Sequence, residues 1–344
     1  MKILLIGNFA PPYEEESLHN LTLLNRLREE GNDCTVINIS ENPSKEDEFI
    51  NVKGFFNFVF KLICHSWKKD IVHYLTKSYT RPSLLKVMTS VLISNIFLAR
   101  SIVTFHSEMF SVFGQSRSQI SKAPIYVAYY LMHKVICDDK HIYEIALRYC
   151  RRTDKFTIIP SCIHIPEDIG ENERLSFKKL QDKKKVIVFS NVRYPSLLFD
   201  VLNKMLTKYL TYDTGIAVSF SEIPHAKLEH VIGEAEGRLL DNIVFIEPDN
   251  ARLLSMAYAR ADLILRTMTC DGKIFFEDFA MIIRKPSRDR NYLYFPTSLL
   301  LIKEGDVSDL CAYILNQLLS EKREIPTGSL TEDFYVKIKK IYNE

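Results

Sequence analysis

The sequence predicts an α/β protein built from two doubly wound parallel sheets, and three observations support this. Short runs of aliphatic and β-branched residues alternate with longer amphipathic segments along nearly all of the 344 residues. A polar, charged stretch interrupts the alternation near the middle of the chain. The length is also sufficient for two domains of ordinary size. Strands that alternate with helices require right-handed crossovers, which produce parallel sheets covered on both faces.

In the first half, six apolar runs predict strands. They are KILLIG (2–7), CTVINI (34–39), DIVHYLT (70–76), SIVTFHS (101–107), KVICDD (134–139) and KFTIIPS (155–161). Helices are expected between them, including 17–31, 55–69, 82–100 and 141–150. The apolar run 82–100 is nearly long enough to span a bilayer, but Lys86 and Asn95 interrupt it, which favours a buried helix.

The middle of the chain marks a boundary between domains. Residues 165–185 are charged and lack apolar periodicity, as a linker would, and the strand pattern restarts at KVIVFSN (185–191). Further strands are expected at 215–221, 242–248, 262–268 and 299–303, with helices at 226–239, 251–261 and 307–320. The predicted organisation is a first domain over 1–165, a linker over 166–184, a second domain over 185–322, and a last helix over 323–344 that returns to the first domain.

Composition excludes several functional classes. The 45 basic and 43 acidic residues leave a formal charge of +2, so no field over the whole protein attracts nucleic acid. Seven cysteines are scattered without metal-like spacing, which predicts reduced thiols, no metal site and a cytoplasmic protein. The N-terminus starts on a predicted strand without a signal-peptide pattern. No Ser-His-Asp order and no Walker loop are present.

Four segments carry a family resemblance. MKILLIGNFAPP opens the chain, KFTIIPSCIHIPED leads out of the first half, and NIVFIEPDNARLLSMAYARADLILRTMTCDG and YFPTSLLLIKEGD follow in the second half. This order resembles a GT-B glycosyltransferase of the retaining, GT4-like group, in its surface-polysaccharide branch. The resemblance covers nearly the whole chain as an order of elements, whereas the individual motifs are only partly kept.

The resemblance implies a fold and a reaction. The fold is two Rossmann-like domains facing a cleft, where open α/β sheets bind ligands. The reaction is metal-independent transfer of a sugar, with retention, from a nucleotide-sugar donor to a glycan or lipid-linked acceptor. No cofactor is implied, and a donor of the UDP or the GDP type is equally compatible.

The family's two acidic donor residues are only half preserved. Asp271, in the Asp271-Gly272 turn, matches the acid near the donor sugar, whereas the place of the second acid is taken by Phe279. A helix is expected after this turn, and a small change of its register would bring Glu277 toward the ribose. Alternatively, these carboxylates are a solvated helix start favoured by the helix dipole.

The diphosphate of a donor needs cations or backbone N–H groups. Arg193 and Arg266 are the candidate cations, although Arg266 is equally compatible with an ion pair at the domain surface. Glu15 and Glu16 stand where many relatives have Gly-Gly, and their carboxylates would repel a diphosphate. The chain also has only 11 glycines, so loops that cradle phosphate are scarce.

Histidine is the candidate residue type at the sugar. His106, in TFHSEM, ends a predicted strand and resembles the histidine that relatives use against the donor sugar. Ser107 and Glu108 are candidates for contact with acceptor hydroxyls, and His19 is a weaker candidate. A purely structural role for His106 remains the alternative.

Two functional hypotheses follow. The first is an active glycosyltransferase with Asp271 and His106 at the sugar. The second is a non-catalytic GT-B protein that binds a glycan or serves as the partner of an active transferase, because several donor motifs have changed together. A third possibility is another sugar-phosphate enzyme of the same architecture, such as an epimerase or a phosphorylase. An epimerase should keep a carboxylate-rich nucleotide site, and a phosphorylase should be much longer and carry a lysine-bound cofactor. Neither feature is visible in the sequence, which disfavours both.

One segment also predicts membrane contact. Residues 54–69 contain four phenylalanines, one tryptophan and three lysines, a composition that suits a helix lying in a bilayer interface. This would place the protein at the inner face of the membrane as a peripheral protein. The alternative is a core helix with a basic end.

Overall fold

The computed structural model describes most of the first half of the chain and parts of the second. The described residues are 1–9, 13, 15–40, 49–76, 81–106, 122–138, 140–150, 152–165, 170–192, 213–220, 242–247, 249–266, 278–282, 287–289, 292–294, 299–303 and 334–344. They belong to two compact units. The first comprises Met1–Pro11, Glu15–Cys162 and Ser329–Glu344, and the second comprises Pro12–Glu14 and Ile163–Gly328.

A seven-stranded sheet forms the centre of the first unit. All its strands are parallel, in the order β3-β2-β1-β4-β5-β6-β7. Their bounds are β1 (Lys2–Gly7), β2 (Asp33–Asn38), β3 (Ile50–Asn51), β4 (Ile71–Thr76), β5 (Arg100–Phe105), β6 (Lys134–Cys137) and β7 (Phe156–Ile158). The strand order reverses between β1 and β4, and such a reversal is where doubly wound folds bind ligands. The six predicted strands are confirmed, and only the short edge strand β3 was not predicted.

Helices cover both faces of this sheet. They are α1 (Glu15–Glu29), α2 (Gly54–Ser66), α3 (Arg81–Ile96), α4 (Lys122–Leu131), α5 (Lys140–Tyr149) and α8 (Phe334–Asn343). The core side chains of α2, such as Phe58 and Leu62, belong to one hydrophobic cluster with Val91 of α3 and Ala128 of α4. These helices join successive strands, and right-handed crossovers therefore place them side by side on one face. α1 and α8 pack on the other face.

The last helix of the chain packs on the first unit. Its buried residues are Phe334, Tyr335, Ile338, Ile341 and Tyr342. The Tyr342 hydroxyl lies 2.6 Å from Nδ1 of His73 in β4, and Thr104 Oγ1 of β5 lies 2.7 Å from Nε2 of the same ring. At the surface, Lys339 pairs with Glu30 over 2.8 Å. The imidazole of His73 therefore connects two central strands with the end of the chain.

The second unit contains a smaller parallel sheet, with strand order β11-β10-β9-β12. Its strands are β9 (Lys185–Val192), β10 (Thr214–Phe220), β11 (Ile243–Ile246) and β12 (Leu263–Arg266), with helices α6 (Glu171–Gln181) and α7 (Ala251–Arg260). Three short strands, β8 (Cys162–His164), β14 (Ser287–Asp289) and β15 (Tyr292–Tyr294), form a separate sheet. The strand order of the parallel sheet repeats the arrangement around β1 in the first unit.

The structure corrects the prediction of a helix after the Asp271-Gly272 turn. Residues Asp278–Ile282 form a strand, β13, which pairs antiparallel with β16 (Leu299–Lys303) and sets Phe279 opposite Ile302. A short apolar run does not distinguish helix from strand, and here a distant apolar run supplies the hydrogen-bonding partner. The helical geometry that related Glu277 to Phe279 therefore does not apply.

The stretch expected to be a linker also contains regular structure. Within 166–184, residues Glu171–Gln181 form α6, and Leu180 is fully buried. Glu173 accepts a hydrogen bond from the backbone N–H of Gly170 over 2.9 Å at the start of the helix. One buried leucine and a capped first turn are sufficient here, although the segment lacks extended apolar periodicity.

None of the helices among the described residues is long and apolar enough to cross a membrane.

We expect Tyr342→Phe to destabilise the first unit, because it removes the hydroxyl next to the buried Nδ1 of His73. A buried polar atom that loses its partner costs about 1–3 kcal/mol in the free energy of unfolding. Tyr130→Phe, which removes a hydroxyl from an exposed ring, should change it by less than about 0.5 kcal/mol. Urea denaturation of the two variants and the wild type measures both values. Equal stabilities for the two variants would contradict the role assigned to Tyr342.

Candidate functional site

Three polar side chains meet just beyond the carboxyl ends of neighbouring strands in the first unit. His106 follows β5, Asp138 follows β6, and Ser161 follows β7. The backbone N–H of His106 still donates to Thr76 O over 2.9 Å, so the sheet fixes the position of this residue. All three side chains are buried. Parallel strands end at the same edge of a sheet, which is why residues far apart in sequence come together here.

His106 presents one ring nitrogen to both neighbours. Its Nδ1 lies 3.1 Å from Ser161 Oγ and 3.7 Å from Asp138 Oδ2. The second distance is too long for a hydrogen bond, but the carboxylate still attracts a proton on Nδ1. This favours the tautomer in which Nδ1–H donates to Ser161 Oγ. In that tautomer Nε2 carries the lone pair and is the atom that can accept a hydrogen bond or a proton.

This arrangement differs from the triad of hydrolases. In a Ser-His-Asp triad the serine and the aspartate contact opposite nitrogens of the ring, so that the histidine relays a proton between them. Here Ser161 and Asp138 contact the same nitrogen. Ser161 is therefore not arranged as a nucleophile, and together with Asp138 it orients His106.

His19 of α1 packs directly against His106. The two ring centroids are 5.0 Å apart in an edge-to-face arrangement. His19 Nδ1 lies 3.0 Å from both the backbone N–H and the carbonyl oxygen of Cys162, and its tautomer decides whether it accepts from the N–H or donates to the carbonyl. Burial and the adjacent His106 lower the pKa of His19 to about 3, against the opposing effect of the hydrogen bond with the Cys162 backbone. His19 is therefore neutral near pH 7, and its role in this structure is to support His106.

A third histidine, His73, lies within β4. It is fully buried, and burial, with smaller contributions from His19 and His106, lowers its pKa to about 3. Its two ring nitrogens contact only hydroxyl groups, those of Tyr342 and Thr104. A hydroxyl donates or accepts equally well, so a neutral imidazole is satisfied in either tautomer.

The point where the strand order reverses is also polar. Asn8 follows β1, and its Nδ2 donates to Glu16 Oε2 over 3.3 Å, while Asn20 Nδ2 donates to the Asn8 carbonyl over 2.9 Å. A Cβ on Gly7 would lie 3.0 Å from Asn20 Nδ2 and 3.1 Å from the Leu75 carbonyl oxygen, so a larger residue here would displace a neighbour in α1 or β4. Glu15 and Glu16 are buried in the first turn of α1. Two carboxylates thus occupy the helix start that doubly wound folds use for phosphate.

Two of these site residues, His106 and His19, were predicted from the sequence, and the structure brings their rings together. Asp138, Ser161 and His73 were not predicted. The predicted strands KVICDD and KFTIIPS already contained a signal for the first two residues, because a polar residue after each strand must reach the shared carboxyl edge.

The remaining predicted site residues lie mostly outside the described part of the chain. These are Asp271, Gly272, Glu277, Arg193, Ser107 and Glu108. The backbone of Arg266 forms the last position of β12, at the carboxyl end of an edge strand in the second unit. Among the residues that the structure describes, no group of three His, Cys, Asp or Glu side chains is arranged to hold a metal ion.

Known proteins resemble this chain in structure and not detectably in sequence. No protein-family model matches the sequence, and no curated protein matches it. MnaA of S. aureus, solved with UDP, is 13% identical, with 78% of this chain and 74% of that chain covered and a TM-score of 0.50. A UDP-GlcNAc 2-epimerase from Neisseria meningitidis, bound to UDP-GlcNAc, is 12% identical, with 78% of each chain covered and a TM-score of 0.50.

This chain has a GT-B-like fold. The two parallel sheets, of seven and four strands, match the architecture of these solved structures. Because one fold can host several unrelated functions, the function must be argued from the site itself.

The two buried histidines predict an acid-sensitive fold. Because folding lowers the pKa of His19 and of His73 from 6.5 to about 3, the unfolded chain binds more protons than the native chain between these values. The stabilisation that comes from keeping these two histidines neutral is therefore present above pH 6.5 and is lost as the pH falls toward 3. Each histidine should remove about 1 kcal/mol between about pH 7 and pH 5.5.

Urea denaturation at several pH values in this range measures how the free energy of unfolding changes with pH. The two histidines contribute part of this change, and His19→Asn should remove about half of that part. His164→Asn, at an exposed position in β8, serves as the control and should keep the wild-type slope. An identical slope in the wild type and in His19→Asn would contradict the assignment.

Proposed function

We propose that this chain is a metal-independent glycosyltransferase that moves a sugar, with retention, from a nucleotide sugar to a glycan or lipid-linked acceptor. The observation that carries the proposal is the buried His106, oriented through Nδ1 by Ser161 and Asp138 at the carboxyl edge of the first sheet. At this edge open α/β folds bind their ligands.

The geometry of His106 supports a role in contacting the sugar. With Nδ1–H directed at Ser161 and Asp138, Nε2 accepts a hydrogen bond from a sugar hydroxyl and so fixes the orientation of the ring. Positive charge develops on the sugar as its bond to the diphosphate breaks, and the nearby Asp138 carboxylate stabilises that charge. We assign His106 as the residue that contacts the sugar and Ser161 and Asp138 as positioning residues.

The nucleotide end of the donor is assigned to the second unit. We propose that Asp271 and Gly272 lie at the donor sugar and that Arg193 and Arg266 neutralise the diphosphate, with Glu277 near the ribose. Support comes from the solved structures of the same fold, which hold UDP and UDP-GlcNAc. The buried carboxylates Glu15 and Glu16 at the start of α1 favour placing the diphosphate away from that helix. Ser107 and Glu108 remain the proposed acceptor contacts.

An epimerase acting on a nucleotide sugar is the second candidate. The sequence disfavoured it for lack of a carboxylate-rich site, but the structure buries Glu15, Glu16 and Asp138 in the first unit. Inverting a carbon that bears hydrogen requires acid and base groups, and buried carboxylates next to a histidine supply them. The solved epimerase of the same fold supports this reading.

We expect the purified chain to bind UDP-sugars or GDP-sugars in calorimetric titrations, and product analysis by NMR separates the two reactions. Transfer yields free nucleoside diphosphate and a glycoside, whereas epimerisation yields a nucleotide sugar of altered configuration. An epimerised product would replace the main proposal with the second. Absence of binding to every nucleotide sugar tested would exclude both and favour a non-catalytic partner or glycan binder.

The role of His106 predicts the behaviour of a conservative variant. His106→Asn removes the proton-accepting Nε2 and should lower turnover by about 100-fold or more, while titrations still detect the nucleotide. His133→Asn, which changes an exposed histidine, should retain wild-type turnover. Steady-state kinetics, with thermal denaturation to confirm folding, measures the difference. Turnover of His106→Asn within about threefold of the wild type would remove His106 from the site.

A further inference from the structure

α2 and the residue that follows it, Trp67, expose large aromatic side chains to solvent. Phe56 is 88% exposed, Phe60 is 67% exposed and Trp67 is 63% exposed, at spacings of four and seven residues along the chain. Phe58 and Leu62, on the opposite side of the helix, are fully buried in the core of the first unit. The sequence left two alternatives for this segment, a helix in a bilayer interface and a core helix with a basic end. α2 packs in the core on one side and exposes an apolar surface on the other, so neither alternative describes it completely.

The neighbouring helices extend this surface. Ile96 at the end of α3 is 72% exposed, Leu98 just beyond it is 92% exposed, and Tyr130 of α4 is 68% exposed. The rings of Trp67 and Phe97 are in edge-to-face contact with centroids 5.7 Å apart, which joins the end of α2 to the end of α3.

We name Phe56, Phe60, Trp67, Ile96, Leu98 and Tyr130 the aromatic face. Asn95 Nδ2 donates to the Leu131 carbonyl over 3.2 Å, which joins the end of α3 to the end of α4. Single exposed apolar residues are ordinary, but six large ones on or just beyond three neighbouring helices point to an interaction surface.

The charge around the aromatic face is unlike that of the whole chain. Residues 53–100 contain eight lysines and arginines and a single acidic residue, Asp70, whereas the full sequence is nearly balanced with 45 basic and 43 acidic residues. α2, α3 and α4 contain no Asp or Glu. Lys53 and Lys68 flank α2 and are exposed. The surface therefore combines apolar rings with positive charge that is not locally neutralised by acidic side chains on these helices.

The combination of exposed apolar rings with lysines indicates which partner the aromatic face binds. Two copies of the chain joined through this face would bring the same lysines together, because a twofold interface pairs each patch with itself. An anionic bilayer surface instead accepts phenylalanine and leucine in its acyl boundary, tryptophan and tyrosine at the headgroups, and lysine at the phosphates.

We propose that the aromatic face docks the protein on the surface of a membrane that contains anionic phospholipid. The docking goes beyond the proposed function and is independent of it. Where the proposed transfer activity holds as well, the docked enzyme meets an acceptor carried by a lipid in the same bilayer, and this last step rests on the proposed function.

Vesicle flotation of the full chain tests the proposal without any substrate. We expect flotation with vesicles of phosphatidylcholine and phosphatidylglycerol, and markedly weaker flotation with phosphatidylcholine alone or at high salt. The triple variant Phe56→Ser, Phe60→Ser, Trp67→Ser should reduce the partition coefficient at least about tenfold. Lys53→Gln with Lys68→Gln should weaken binding to the anionic vesicles only.

The matched control is Leu175→Ser, which removes a side chain that is 68% exposed on α6 of the second unit and should float like the wild type. Circular dichroism confirms that the variants fold, and the replaced side chains are too exposed for folding to depend on them. Failure of the wild type to float, or unchanged flotation of the triple variant, would overturn the proposal. A lipid-free dimer lost in the triple variant, with no flotation of the wild type, would assign the face to a second copy instead.

The same preparations distinguish failure of this proposal from failure of the proposed function. Titration measures the binding of nucleotide sugars in the absence of lipid, and flotation measures membrane binding through the aromatic face in the absence of nucleotide. A chain that binds nucleotide sugars but does not float loses only the membrane proposal.

Discussion

Three imidazole rings lie beneath the carboxyl edge of the first sheet, and each is buried where an unpaired polar atom is costly. The partners that satisfy them come from distant parts of the chain. His19 uses the backbone of Cys162, 143 residues away, and His73 uses Tyr342, 269 residues away. The end of the chain, the order of the strands and the geometry of the candidate site are therefore not independent. A change that moves α8 away from β4 would leave His73 without one partner. It would also remove the Phe334 ring from His19, which packs against His106.

The burial of these rings also determines their protonation state. His19 and His73 are held neutral because solvent cannot stabilise their charge. A neutral His19 against the edge of His106 adds no fixed charge next to the site, where the Asp138 carboxylate lies 3.7 Å from His106 Nδ1. Such a site can orient a polar, hydroxyl-rich ligand through hydrogen bonds, as the proposed function requires. This suits a reaction on sugars, and it differs from nucleophilic hydrolysis, which requires Ser161 on the other side of the ring.

Local patterning predicted the fold well and the site only in part. The strands of the first sheet were predictable because parallel strands buried on both faces are continuous apolar runs, as in KILLIG and DIVHYLT. Residues 278–282 were assigned to a helix because their pairing partner lies about twenty residues further on, beyond any local pattern. His106 was found by its place at a strand end. Asp138 and Ser161 were overlooked because a polar residue after one strand gains meaning only when the order of the neighbouring strands is known.

The sequence by itself determined the alternation of strands and helices, the two-sheet α/β class, and the concentration of basic and aromatic residues in 53–69, since each depends on residues close together in the chain. Tertiary structure decided which atom of His106 faces Ser161 and Asp138, that His73 requires the last helix, and that Phe56 and Phe60 face solvent while Phe58 does not. These features depend on contacts between residues far apart in sequence, or on which side of a helix the sheet occupies. Periodicity carries no information about the first, and in α2 it does not identify the buried side, because phenylalanines occur on both sides of the helix.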